Sequence, residues 1–314
     1  MNRWHSLHKG ILVVAGLWIL ALSTAAAQTP RPASFELSPE EYDSAPTVQV
    51  ALGDLDDDGD LDAVFANMSF DPSQVLLNNG HGSFVDTGQP LTEQGHGVGV
   101  GDLDGDGDLD LFITCAGYAP DGVQHDLPSV VYLNLGDGFF VDSGQDLGDT
   151  APGGNAVSLA DVDADGDLDA FVVYYGEPAR VYLNDGSGAF TLSPQGLGSS
   201  NRAWIALGDL NNDGHVDAFV SRVYSPNEIW LNDGHGTFSD SGLRLGGYGL
   251  TRSVDLGDLD GDGDLDVFVA RRDVEGAPNE VWVNCTRVGR CRNRSQPCCA
   301  DATFIRRPSG RRRP

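Results

Sequence analysis

Basic residues are nearly missing from the middle of this chain. Of 314 residues, 19 are Lys or Arg against 47 Asp or Glu. Residues 28–284 hold eight Arg, no Lys and 46 acids, a charge of 8 − 46 = −38. So acidic a body repels nucleic acid and anionic membrane surfaces, which excludes both as main partners. It also argues against a bare compact fold, because packed like charges repel unless something neutralises them. Cysteine is as scarce: Cys115 is the one Cys before position 285, and inside an apolar stretch it reads as a buried free thiol. After residue 27 no apolar run is long enough to span a bilayer. A Ser/His/Asp constellation, a His-rich metal site and a phosphate loop are lacking too, so catalysis has little support. Few Lys or Glu favour helix, whereas 41 Gly and 40% hydrophobic residues favour short strands and tight turns.

The two ends differ from the body. Arg3 and Lys9, the apolar run Ile11 to Leu22 and the small residues Ala25-Ala26-Ala27 read as a signal peptide, residues 1–27, cut before Gln28. The mature chain is then secreted, periplasmic or cell-surface, and residues 28–34 link the leader to the body. Residues 285–314 carry nine Arg, one Asp and four of the five Cys. They break the pattern described next in the middle of a motif, so this tail reads as disordered and as an out-of-frame continuation. Two disulfides or a metal knuckle are its other readings.

Between the ends, one unit recurs five times. Asp54-Leu-Asp56-Asp-Asp58-Gly59-Asp60-Leu-Asp62 returns at Asp102, Asp161, Asp209 and Asp258, with start-to-start spacings of 48, 59, 48 and 49. A second signature follows the first four: VLLNNGHGSF, VYLNLGDGFF, VYLNDGSGAF and IWLNDGHGTF; the fifth begins as VWVN and stops at Asn284. Apolar runs enter and leave each acidic loop, and Asn-Gly or Asp-Gly between alternating runs marks a hairpin. Four strands in a unit of this length is propeller-blade arithmetic. The expected fold is therefore all-β, a propeller over residues 35–284 with five blades. The strand around Phe35 would supply the fourth strand missing from unit five and close the ring. A truncated larger ring is the alternative.

Carboxylates at positions 1, 3, 5 and 9, Gly at 6 and a backbone carbonyl at 7 suit Ca²⁺, which takes several oxygens in flexible geometry. Position 12 lacks the Glu of an EF-hand, since Phe65, Ile113, Val172, Val220 and Val269 stand there. The candidate metal residues are Asp54, Asp56, Asp58, Asp60 and Asp62; Asp102, Asp104, Asp106, Asp108 and Asp110; Asp161, Asp163, Asp165, Asp167 and Asp169. Asp209, Asn211, Asp213, His215 and Asp217, then Asp258, Asp260, Asp262, Asp264 and Asp266, complete them. Up to five Ca²⁺ are expected. Loop four is the weakest, because Asn211 replaces a carboxylate and His215 sits at the carbonyl position.

The D-x-D-x-D-G-x-x-D hairpin followed by N-x-G-x-G-x-F resembles FG-GAP/VCBS repeats, the units of the integrin α-subunit propeller and of many secreted bacterial proteins. The resemblance implies the propeller and a calcium role for Asp54, Asp56, Asp58, Asp62 and their equivalents, with the ions bracing the blades. It leaves activity open, since such proteins include adhesion modules, lectins and polysaccharide lyases. Seven blades are usual in that group.

Strand alternation puts the acidic loops and the Asn-Gly turns on one side and the 2–3 and 4–1 loops on the other. There fall Arg180, Arg202, Arg222, Arg252, Arg271 and Arg272, with Tyr118, Tyr174, Tyr175 and Tyr224; Arg244 and Tyr248 are nearby. They suit an acidic or hydroxyl-rich ligand, with Arg pairing carboxylates and Tyr stacking on sugar faces. The competing reading is that Arg is kept from the metal side and pairs locally. The long loop from Ala116 to Ser129 brings Asp121, His125 and Asp126, and His125 is a candidate acid–base group. The expected function is a monomeric, calcium-braced recognition module for a polysaccharide or a surface protein. A lyase-like enzyme is the alternative.

Overall fold

The computed structural model describes residues 42, 45–68, 71–115, 117–118, 124–125, 127–147, 153–174, 176–198, 204–246, 250–272, 278–285 and 304–307. All belong to one compact unit, Glu40–Pro314. The expected leader, the linker and the Phe35 segment lie outside the described residues, as do Arg202, Tyr175, Tyr248, Asp121 and Asp126. No helix among the described residues is long and apolar enough to cross a membrane.

The architecture is all-β: five four-stranded antiparallel blades arranged as a β-propeller. Blade one is Thr47–Gly53, Asp62–Asn67, Gln74–Asn78 and Phe84–Asp86. Blade two is Gly95–Gly101, Asp110–Cys115, Val130–Asn134 and Phe140–Asp142. Blade three is Gly154–Ala160, Asp169–Tyr174, Arg180–Asn184 and Phe190–Leu192. Blade four is Trp204–Gly208, Asp217–Ser221, Asn227–Asn232 and Phe238–Leu245. Blade five is Leu250–Gly257, Asp266–Arg272, Glu280–Asn284 and Phe304–Arg307. In every blade the second strand starts at the ninth loop position, and in the first four the last strand starts at the expected Phe. Gly117–Tyr118 and Gln124–His125 form a small extra hairpin inside the long loop of blade two.

Blade five departs from the sequence expectation. The place of its fourth strand, assigned above to the Phe35 segment, is taken by Phe304–Arg307 from the tail. Phe304 pairs with Asn284 as Phe84 pairs with Asn78 and Phe190 with Asn184. The expectation of a wholly disordered tail therefore fails at these four residues. Cys285, where the tail begins, is disulfide-bonded, while Cys115 is the buried free thiol expected. An open sheet edge needs only an extended segment to pair with. Phe304–Arg307 has no apolar–polar alternation, and it is the open edge of the third strand of blade five that it pairs with.

The core is divided among the seams between blades. Four apolar clusters form, one each between blades one and two, two and three, three and four, and four and five. Phe112 of blade two packs edge-to-face on Phe190 of blade three at 5.3 Å, and Phe171 meets Phe238 the same way one seam later. These second-strand side chains are fully buried.

Polar clamps repeat at the same seams. The Asn that ends each third strand donates Nδ2 to the carbonyl of the second loop residue of the preceding blade: Asn134 to Leu55 at 2.8 Å, Asn184 to Leu103 at 2.7 Å, Asn232 to Val162 at 2.7 Å and Asn284 to Leu210 at 2.8 Å. On the outer side, the Oε1 atoms of Gln89, Gln145 and Gln195 accept the backbone N–H of Phe140, Phe190 and Phe238 in the following blade. Each clamp joins groups more than forty residues apart, so it can form only after both blades have.

Asn184→Ala, which removes the cross-seam donor at a buried site, is expected to lower stability by about 1–3 kcal/mol in urea denaturation. Asn78→Ala, which removes within-blade bonds to Leu61 O, Gly80 N and Gly82 N near the surface and no cross-seam bond, is expected to cost clearly less.

Candidate metal centres and the opposite face

Each acidic loop is built by its own carboxylates folding the backbone around them. The first aspartate accepts N–H groups four or five residues on: Asp54 from Asp58 at 3.1 Å and Gly59 at 3.0 Å, and Asp209 from Asp213 at 3.2 Å and Gly214 at 2.9 Å. The fifth accepts from the seventh, as Asp58 does from Asp60 and Asp262 from Asp264, both at 2.9 Å. The sixth residue has φ of +92°, +100°, +103°, +91° and +94° in the five loops, always Gly. In loops one to four a Cβ there would meet nothing within 4 Å, so backbone conformation alone demands glycine. The fourth residue also has positive φ, in Asp57, Gly105, Ala164, Asn212 and Gly261. That requirement was hidden in the sequence because four residue types share the position.

The ninth aspartate is the anchor. One oxygen of Asp110 accepts Leu103 N at 2.8 Å and the other Asn134 N at 2.8 Å. The same pair of bonds recurs at Asp62, Asp169, Asp217 and Asp266. Burial, against these two donors, pushes Asp110, Asp169 and Asp217 up to about 6. Asp266 is raised by the same cause.

The structure brings the predicted ligands together unevenly. Carboxylate oxygens of Asp54, Asp56 and Asp58, of Asp102, Asp104 and Asp110, of Asp161, Asp163 and Asp169, and of Asp258, Asp260 and Asp262 lie within 4.8 Å of one another in each set. Asp56, Asp104, Asp163 and Asp262 are raised from the ordinary carboxylate value, by burial first and then by neighbouring carboxylates. The Oδ1 atoms of Asp56, Asp161 and Asp163 are buried with no hydrogen-bond partner. Unpaired buried anionic oxygens facing one centre fit a hard cation, and the donor set is all oxygen.

Loop four forms no such acidic group. There the Asn211 amide nitrogen donates to Asp213 Oδ2 at 2.8 Å, so an N–H group points at an oxygen that a cation would need. The seventh-position side chains turn elsewhere: Asp60, Asp108, Asp167 and His215 lie against Gly80, Gly136, Gly186 and Gly234 of their own blade's hairpin turn. Asp264 accepts from Asn212 of blade four at 3.1 Å.

The far side uses most of its arginines internally. Arg222 Nη1 meets Glu228 Oε1 at 2.5 Å, and Arg271 Nη1 meets Glu280 Oε1 at 2.6 Å. Both glutamates are buried. Arg244 pairs with Asp240 at 2.6 Å and holds that carboxyl down to about 2. Arg180 lies over the Tyr174 ring at 5.1 Å. Tyr174 is fully buried and shares a 2.7 Å hydroxyl contact with Tyr182, so as a ligand-facing residue it is corrected to a core residue. Local pairing therefore describes Arg222, Arg244 and Arg271. Arg252 is exposed, and Tyr224 is 59% exposed with φ of +61°. For Tyr118, His125 and Arg272 the strands are described and the side chains are not.

A family model for FG-GAP-like repeats matches residues 47–113, 161–220 and 209–269, more than half of the chain. The chain belongs to the FG-GAP-like repeat family. Matched FG-GAP-like units cover blades one and four, blade three from its acidic loop onward, and the start of blades two and five, each including its acidic loop. No curated protein sequence matches the chain. Among solved structures, an Agrocybe aegerita lectin that recognises non-reducing terminal N-acetylglucosamine is 18% identical, with a TM-score of 0.47 over 77% of this chain. The V. cholerae biofilm matrix protein Bap1 is 16% identical, with a TM-score of 0.39 over 76% of this chain. The chain spans 64% of the length of the lectin and 38% of that of the matrix protein.

Titration calorimetry with Ca²⁺ on variants that each retain one loop is expected to rank loop four loosest. Asn211→Asp, by restoring the missing carboxylate, should tighten it on the order of tenfold.

Proposed function

We propose that this chain is a calcium-braced recognition module of the cell exterior, without catalysis of its own. The metal half of this reading is carried by the partnerless buried oxygens of Asp56, Asp161 and Asp163. Ca²⁺ fits the all-oxygen, carboxylate-rich donor sets better than Mg²⁺, which demands near-ideal octahedral geometry. In loops one to three and five the ligands are the first and third aspartates with the fifth or ninth, and loop four is a weaker fifth site. The cation would also brace blade against blade, because loops one to three border the next blade's turn. Gly236 N of blade four donates to Val162 O of loop three at 3.0 Å.

The recognition half is supported by the division of the molecule into two sides. One side is acidic and committed to metal; the other exposes Arg252 and Tyr224 on rigid blades, a setting in which binding loops commonly sit. Their chemistry suits a hydroxyl-rich, acidic ligand, a glycan above all, with guanidinium to carboxylate and ring to sugar face. Export through the N-terminal leader accords with millimolar calcium outside cells, where weak sites fill.

Chelation should lower the melting temperature. At free Ca²⁺ about a hundred times the dissociation constant, each independent site adds about 2.7 kcal/mol, and a melting curve unmoved by chelator refutes the metal assignment. For the ligand, the calcium-loaded protein is passed over immobilised acidic and neutral polysaccharides and the flow-through is assayed for cleaved product. Retention on an acidic glycan, reduced in Tyr224→Ala and Arg252→Ala, is the expected result. Product in the flow-through replaces this reading with a lyase, and no retention on any polysaccharide overturns the glycan assignment.

A further inference from the structure

Four seams between blades are sealed, and the fifth is not. Each sealed seam uses the same three devices: a buried second loop residue and second-strand side chain from the leading blade, an apolar residue at loop position eight from the following blade (Leu109, Leu168, Val216 or Leu265), and the Asn clamp. At the seam from blade five to blade one, the corresponding side chains are bare on both lips.

On blade five, Leu259 is 53% exposed, whereas Leu55, Leu103, Val162 and Leu210 in the same place are at most 2% exposed. Phe268 is 41% exposed, whereas Val64, Phe112, Phe171 and Phe219 are fully buried. On blade one, Leu52 is 59% and Leu61 57% exposed, while their counterparts in the later blades are half-buried or better. A Cβ on Gly53, Gly101 or Gly208 would lie 2.5–2.8 Å from the position-eight Leu of the next blade, namely Leu109, Leu168 and Leu265. Gly257 ends the first strand of blade five, and no residue of another blade lies within 4 Å of a Cβ there. The two lips are thus the two halves of one repeated interface. Leu61 matches the space over Gly257, Asn78 matches the Leu259 carbonyl, and Phe268 matches Phe84.

Blade one is further prepared for a leading blade. Tyr42 packs edge-to-face on Phe84 at 5.6 Å, its hydroxyl accepts Phe84 N at 3.2 Å and it reaches Gly82 O at 3.5 Å. Those are the groups that Gln145 and Gln195 hold one blade further on, Gln145 at Phe190 N and Gly188 O and Gln195 at Phe238 N. Blade one therefore carries its own outer clamp and lacks only the apolar face of a blade in front of it.

We infer that the blade-five lip of one copy of this chain docks on the blade-one lip of a second copy. The same chain cannot bring its own lips together without changing the angle at four close-packed seams at once, and packed interiors resist such redistribution. A second copy offers the matching lip with no distortion. The contact is heterologous, head to tail, so it propagates until a ring closes or a chain of copies forms. It supersedes the monomer expected from the sequence and is independent of any ligand on the far side.

The test is sedimentation of the full calcium-loaded chain over a range of concentrations, beside Leu52→Asp and Phe268→Asp. Both substitutions fall on exposed side chains, and unchanged melting curves confirm that the variants fold. Wild type should gain mass with concentration, and each variant alone should stay at the monomer mass. An equimolar mixture of the two variants should stop at twice the monomer mass, because each retains the lip that the other has lost. A wild type that is monomeric throughout, a mixture that stays monomeric, or a single variant that still associates overturns the head-to-tail interface.

Discussion

One buried carboxylate per blade holds the rest in place. The aspartate at loop position nine ties its own loop to the start of the third strand through two backbone N–H groups, and it opens the second strand itself. Burial of a carboxylate is costly unless its oxygens are satisfied, and here both are. Without that residue, the loop would have no fixed path back into the blade. The hairpin turn and the seam Asn would lose their register with it. The raised pKa of Asp110, Asp169 and Asp217 is the residual cost of this anchor, and a cation beside it in loops two and three would offset that cost.

Because the loops lie at the seams, metal affinity and blade cohesion are one problem. The second residue of loops one to four offers its side chain to the apolar seam and its carbonyl to the next blade's Asn. Val162 does both and receives Gly236 N as well. A cation that stiffens loop three therefore stiffens the surface on which blade four is seated. The concentration of acid at one end of the molecule would follow from such a duty without a basic partner.

At the opposite end, the few arginines of the body are largely spent on the body. Glu228 and Glu280 are buried in third strands, and each is matched by an arginine at or just past the end of the second strand, Arg222 and Arg271. Breaking such a pair would leave a buried charge without a partner, so Arg222 and Arg271 are poor candidates for ligand contact. Among the described candidates, Arg252 and Tyr224 stand outside these pairs and are left for the proposed recognition.

The amino-acid sequence by itself determined the blade: its four strands, the acidic loop, the Asn-Gly turn and the Phe that opens the last strand. These depend on short-range chemistry, on glycine where φ must be positive and on alternation along a strand, and the fivefold repeat made them legible. Only the tertiary structure decided how blades meet. The partner of each seam Asn lies seventy or more residues away, and Tyr42 takes a place that pattern reserves for Gln. Tyr174 became core and Arg271 became an ion pair because the next strand of the same blade folds Tyr182 and Glu280, eight and nine residues on, back against them, a pairing that strand register decides. The strand that completes blade five was decided the same way: an open edge pairs with whichever extended segment reaches it, and here Phe304–Arg307 does.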